Sequence, residues 1–471
     1  MEYVGNTITT ENWSGENKIF IGKGVKTFNG TLHRYLTLRE DDANHMLFLG
    51  PSGFQKTTTM KAFLQEIYLN TRWGRNLEPP LIIVFERKYD RAKAQLVKKT
   101  FYELLRRWGE SGLSARYSQV KELKLYISML QHPAFEGQIG LMGDFALAWE
   151  NILGFLMYDK HHTYFSQFGI KPLAFPIRRF VFNPTRPLNH IALDSGPETE
   201  VIATFIKYDR LEFSDIAKIL NMNVNTIYAQ LIKEAWDNLR IRDPDDVISR
   251  AKQIYEEMLE FLEVDPGKRK PSMSLWGVKS VMQYLKSNRI FDRSTKGKDL
   301  LDLIDNDKIN VIDFSQNSQL TEEEKNIIFK KVIEYVTEDY IKKKETAVFI
   351  VGDEIHNYLA TRWGKRIIGK LFREGRSNQV NLLIATQYLH NLPDEIVYGA
   401  SHIAILGTLA SADDYYLLKK VVPDFDVKFE RLVASSPAEV ELLKRKERGK
   451  GYFIYNKFFT ERIHFRPSQT L

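Results

Sequence analysis

The chain has 471 residues, 43% of them hydrophobic and 27% charged, a balance that excludes a disordered or fibrous class and allows more core than one ordinary domain needs. Its long apolar stretches, such as 81–85 and 347–351, fall far short of the roughly 20 residues a membrane-spanning helix requires. The absence of cysteine excludes disulfides, thiolate zinc sites and cysteine nucleophiles, and a formal net charge of +7 favours a polyanionic partner.

The amino terminus, MEYVGNTITTENW, lacks the basic region and apolar run of a secretory signal, which predicts a cytoplasmic location. Over residues 1–44, polar and aromatic alternation broken by Gly15, Gly22, Gly24 and Gly30 predicts an accessory extension of small β elements. His45-Met46-Leu47-Phe48-Leu49 then runs into Gly50-Pro51-Ser52-Gly53, and an amphipathic stretch follows over 57–69. That order is strand, glycine-containing loop, helix. A second buried strand is expected at 81–85, completing a first core segment, 45–95.

Residues 96–171 read as a helical insertion, because strand-like sequence resumes only at 179–182 and 191–193, within a second core segment, 172–197. A further helical pattern fills 198–297. The last core segment, 298–471, starts with a strand at 308–314 and a helix signalled by Thr321 and Glu324, a capping box. Strands at 347–351, 381–386 and 402–406 follow, with a helix at about 365–372 between the first two. Strands and helices in alternation specify an α/β fold with a mostly parallel sheet covered on both faces.

The chemistry concentrates at two strand ends. Gly50-Pro51-Ser52-Gly53-Phe54-Gln55-Lys56-Thr57, with Thr58 behind it, has the context of a phosphate-binding loop. Its backbone N–H groups and helix amino terminus favour phosphate, Lys56 would reach the β and γ oxygens, and the Thr57 hydroxyl would ligate Mg²⁺. Gln55 stands where glycine is usual, which predicts backbone strain on the order of 1 kcal/mol. The strand at 347–351 empties onto Asp353 and Glu354, the former suited to Mg²⁺ and the latter to activating water.

Asp353-Glu354-Ile355-His356-Asn357-Tyr358, Phe372-Arg373-Glu374-Gly375-Arg376-Ser377, Ile384-Ala385-Thr386-Gln387 and Leu392-Pro393 together resemble, in order and spacing, the signatures of the HerA/FtsK superfamily. The resemblance covers most of 45–95, 178–195 and 300–465 and leaves both insertions outside it. It implies a RecA-like P-loop ATPase core of the additional-strand type, using ATP and Mg²⁺, assembled as a homo-oligomeric, hexameric ring that translocates DNA. By the same resemblance Gln387 would be a polar sensor near the γ-phosphate. Arg373 and Arg376 would lie at the subunit interface, where one guanidinium neutralises charge on a neighbour's nucleotide.

Within the second insertion, apolar positions over 211–236 fit two short helices joined by a turn at Asn221–Asn223. A helix-turn-helix unit would put Asn223, Asn225, Thr226 and Gln230 on a recognition helix, whereas a helical bundle explains the same faces. Two other functions therefore stay open beside a DNA motor. One is a nucleotide-switched DNA-binding regulator using this module; the other is a protein-translocating secretion ATPase.

Overall fold

The protein is seen as a computed structural model that describes residues 16–24, 33–86, 175–184, 188, 199–240, 242–264, 273–292, 299–315, 320–353, 362–446 and 449–466, apart from positions 289, 424 and 435. Its strands are β1 (Lys18–Gly24), β2 (His33–Thr37), β3 (Met46–Leu49), β4 (Leu81–Glu86), β5 (Ile177–Phe182), β6 (Thr199–Thr204), β7 (Ile206–Lys207), β8 (Phe291–Asp292), β9 (Ile309–Asp313), β10 (Val348–Asp353), β11 (Val380–Thr386), β12 (His402–Leu406), β13 (Lys450–Tyr455) and β14 (Phe459–Phe465). All but β7 and β8 join one sheet in the order β2-β1-β14-β13-β12-β3-β11-β10-β4-β9-β5-β6.

From β12 to β6 every neighbouring pair is parallel. The inner strands β12, β3, β11, β10, β4 and β9 are apolar along most of their length because helices cover both faces. On one face α1 (Lys56–Asn70) buries Phe63 against Phe48 and Phe453. A buried ion pair between Glu66 and Arg466, with the Phe20 amide donating to Glu66 at 2.9 Å, ties α1 to β1 and to the end of β14.

The other face carries α2 (Phe213–Ile219), α3 (Ile227–Asn238), α4 (Pro244–Phe261), α5 (Met273–Ser287), α6 (Glu322–Tyr335) and α7 (Arg362–Asn378). Thr321 and Glu324 form the expected capping box at the start of α6. Fully buried Asp215 on α2 pairs with Lys330 at 2.8 Å and Lys331 at 3.0 Å, fixing the 211–236 module to α6.

The strands expected in 45–95 and 298–471 appear within two residues of their predicted bounds, and 191–193 lies outside the described residues. Three expectations need correcting. The extension is not a separate accessory piece, since β1 pairs antiparallel with β14 and prolongs the main sheet. The segment 198–297 is not wholly helical: β6 is an edge strand in which Ile202 and Thr204 are buried and Ala203 is exposed. Its period of two spans too few apolar residues to stand out in sequence. Finally, Asn223 and Asn225 lie in the turn before α3 and Thr226 at its N-cap, because the Asn223 side chain accepts from the Asn225 amide at 3.1 Å. Only Gln230 of the four is on the helix.

Candidate active site

The loop between β3 and α1 has the backbone of an anion cradle. Gly50, Gly53 and Gln55 have φ of 145°, 89° and 67°, so successive amides turn into one concavity at the helix amino terminus. A Cβ on Gly50 would lie 2.5 Å from the Leu406 carbonyl oxygen, and one on Gly407 would lie 2.0 Å from the Phe54 ring. Only glycine lets β12 press this closely on the loop. Gln55 adopts the left-handed conformation that the missing glycine predicted. Buried Lys56 arches over the loop and donates to the Pro51 carbonyl at 3.1 Å. Ser52 is exposed, while Thr57 and Thr58, in the first turn of α1, are half-buried. The loop fits a nucleotide polyphosphate.

Strand register brings the other candidates to the same edge. β11 lies between β3 and β10, with Thr386 beside Leu49 and Asp353 beside Ala385. The phosphate loop, the Gln387 turn and the end of β10 therefore leave three adjacent strands at the carboxyl edge, about 5 Å apart from strand to strand. This is the additional-strand arrangement. Gln387 is half-buried directly after β11. Asp353 ends β10; Glu354 and His356 lie outside the described residues.

The arginines are elsewhere. α7 runs back from the carboxyl edge to the start of β11, and the Phe372 ring packs tilted against His45, centroids 4.3 Å apart, at the amino edge. Arg373, on the next residue, is exposed and 4.0 Å from Glu395, an ion pair of little energetic weight. Arg376 sits in the last turns of the same helix. A strand's length, about 16 Å over five residues, separates this end of α7 from Gly50, so Arg373 is not brought to the phosphate loop of its own chain.

Sequence reasoning missed a buried charge cluster along the carboxyl edge. Arg179 on β5 donates to Glu86 at the end of β4 at 2.5 Å and to Asp313 at the end of β9 at 2.6 Å. Burial opposes its charge, but the two carboxylates override that and raise its pKa further. The visible signal was a pair of arginines inside an apolar strand, where period two sends Arg178 the other way, to Glu200 and Asp307. Among the described residues no group of three His, Asp or Glu side chains could hold a metal ion. No helix of the described residues is long and apolar enough to cross a membrane.

Comparison with known proteins adds three findings. A family model described as "Helicase HerA, central domain" matches residues 146–336, which includes β5, β6, β9 and α2 to α6 and takes in the segment the motif resemblance leaves aside. No curated protein matches. Among solved structures the chain is similar to VirB4 of Thermoanaerobacter pseudethanolicus, at 10% identity and a TM-score of 0.44, covering 98% of each chain. It is also similar to B204, the DNA-packaging ATPase of Sulfolobus Turreted Icosahedral Virus, at 14% identity and a TM-score of 0.24 over 33% of this chain and 67% of that one. For the cytoplasmic domain of the Type VII secretion ATPase EccC of Thermomonospora curvata the values are 10% and 0.23, over 98% and 61%.

Proposed function

We propose that this chain is a P-loop ATPase of the HerA/FtsK superfamily, to which the match of residues 146–336 to the HerA central domain points, and that it hydrolyses ATP to drive duplex DNA through a homo-oligomeric, hexameric ring. The observation that carries the chemistry is the register of β3, β11 and β10, which sends three functional segments off neighbouring strands at one edge. In this reading Gly50 to Thr58 bind the phosphates and Lys56 neutralises the β and γ oxygens. Thr57 and Asp353 would hold Mg²⁺, which supplies charge neutralisation when bound. Glu354 accepts the proton of the attacking water while the bond from the γ-phosphorus to the bridging oxygen breaks, and Gln387 orients the γ-phosphate.

Arg373 and Arg376 act on a neighbouring subunit's nucleotide, for which their place far from their own phosphate loop is a reason. The net charge of +7 suits a DNA cargo. The regulator reading draws less support, because the exposed face of α3 mixes Gln230 and Lys233 with Glu234 and Asp237 instead of presenting a basic stripe.

ATPase assays with and without duplex DNA, on the wild type and Glu354→Gln, together with a native mass measurement, test the proposal. We expect DNA-stimulated turnover, a loss of roughly 100-fold or more in the variant, and a six-chain mass with nucleotide. Full turnover in Glu354→Gln removes the assigned base. Stimulation by protein but not by DNA removes the DNA cargo, and a single-chain mass removes the ring.

A further inference from the structure

Two segments flank the phosphate loop, and a pair of side chains joins them. β11 and β12 lie on either side of β3. After β11 the chain turns through Gln387 and Tyr388 into a single 3₁₀ turn, Leu389–Asn391, anchored by buried Leu389 and Leu392. After β12 it passes Gly407 and Thr408 to Ser411, which caps α9 (Ala412–Val421); α8 (Asp394–Gly399) lies between. One Asp414 oxygen accepts from the His390 backbone amide at 2.9 Å and lies 2.8 Å from the His390 Nδ1.

Asp414 is 1% exposed, and among the described residues its second oxygen has no hydrogen-bond partner. A buried carboxylate held by one residue alone is a costly element, so its two bonds to His390 fix the turn that carries Gln387. The same β12 segment touches the loop itself, through Leu406 against Gly50 and Gly407 against Phe54. Gln387 is three residues from the clasp, so its position relative to the loop is set through β12 as well as through β11.

We propose that His390 and Asp414 form a clasp across the tip of β3 and are positioning residues for Gln387. The idea rests on the ATPase reading above for its kinetic consequence, but the clasp has a physical signature of its own. Releasing it frees the 386–393 turn without disturbing the phosphate loop. Turnover then falls through misplacement of Gln387, while ATP binding, which depends on Gly50 to Thr58, is retained.

The test uses the full chain with His390→Ala and His390→Asn, sparing the buried Asp414. Three quantities are read: kcat and KM for ATP, the melting temperature, and amide hydrogen exchange. In His390→Ala we expect kcat to fall about five- to tenfold with KM within about twofold, and the melting temperature to fall by no more than a few degrees. Exchange over 386–393 should rise by about tenfold while that over 50–57 does not change. His390→Asn, which can still donate to Asp414, should recover most of both. Unchanged exchange over 386–393 overturns the clasp whether or not the protein turns over ATP. Faster exchange with unchanged kcat, in an active wild type, overturns the positioning role. If the wild type is inactive, the ATPase reading fails on its own, and the exchange experiment alone decides the clasp.

Discussion

At the amino ends of β3, β11 and β12 the buried histidines and asparagines are neutral; at the carboxyl edge stand a lysine, a left-handed glutamine and a salt-bridged arginine, together with the loop glycines. His45, before β3, accepts from the Leu382 amide at 3.1 Å and His402, at the start of β12, from the Asn456 amide at 3.3 Å. Burial holds both histidines well below their usual range, at about 4. Asn44 donates its amide to Asn381 at 2.7 Å. The opposite edge holds Lys56 over its loop, Gln55 at φ 67°, and Arg179 between two carboxylates. Both edges bury polar atoms, so burial alone does not mark a functional site. Charge and strain occur at the amino edge too, in Arg178 with Asp307 and in Gln379 at φ 53°; what sets the carboxyl edge apart is that they meet at one anion-binding loop.

The largest expected effect tests the division itself. Lys56→Ala should cut ATP turnover by about a thousandfold and leave the melting temperature within a few degrees. His45→Gln should do the reverse, lowering stability with kcat and KM preserved. Parallel steady-state kinetics and thermal melts of the two variants decide this; an inactive but stable His45→Gln would erase the distinction between the edges.

Much of this division was legible in sequence. β3, β4, β9, β10, β11 and β12 announce themselves as apolar runs with polar ends, and the loop after β3 carries its lysine and threonine at fixed spacing. Partnerships across the sheet were not legible. Arg179 meets residues 93 and 134 positions away, and nothing local in an apolar strand says which strand ends will neighbour it. The clasp joins residues 24 apart on either side of β3, visible only once β12 is known to lie beside β3. Strand β6 was hidden for a different reason, since an edge strand buries too few residues to imprint a pattern.

Arg179 sharpens the comparison, because its charge is at the carboxyl edge yet its partners are both protein carboxylates. Arg179→Ala would remove the cation that Glu86 and Asp313 share, at a cost of about 3–5 kcal/mol. Urea unfolding measures this. A cost below about 1 kcal/mol would mean that water or another cation already balances the pair.

The histidines of the amino edge give the next effect. Their folded values of about 4 lie below the ordinary 6.5, so between those limits the unfolded chain binds more protons. The stability they contribute is whole above pH 6.5 and is lost as pH falls toward 4, on the order of 3 kcal/mol for each. Urea midpoints from pH 7 to 4.5 should decline, and His45→Gln should remove about half of the decline assigned to the pair. A variant with the wild-type slope would show that His45 is not buried neutral.

The smallest effect concerns Gln55. Its left-handed backbone costs about 1 kcal/mol in a non-glycine residue, but glycine would give back part of that gain through its freer unfolded chain. Gln55→Gly should therefore stabilise the protein by less than about 1 kcal/mol. Because φ 67° already belongs to the folded loop, the strain is spent in folding and not in binding, and KM for ATP should stay within about twofold. Tightening of ATP by more than about fivefold would show that binding completes the left-handed turn. The loop would then be less preorganised than the contacts of Gly50 with Leu406 and of Gly407 with Phe54 require.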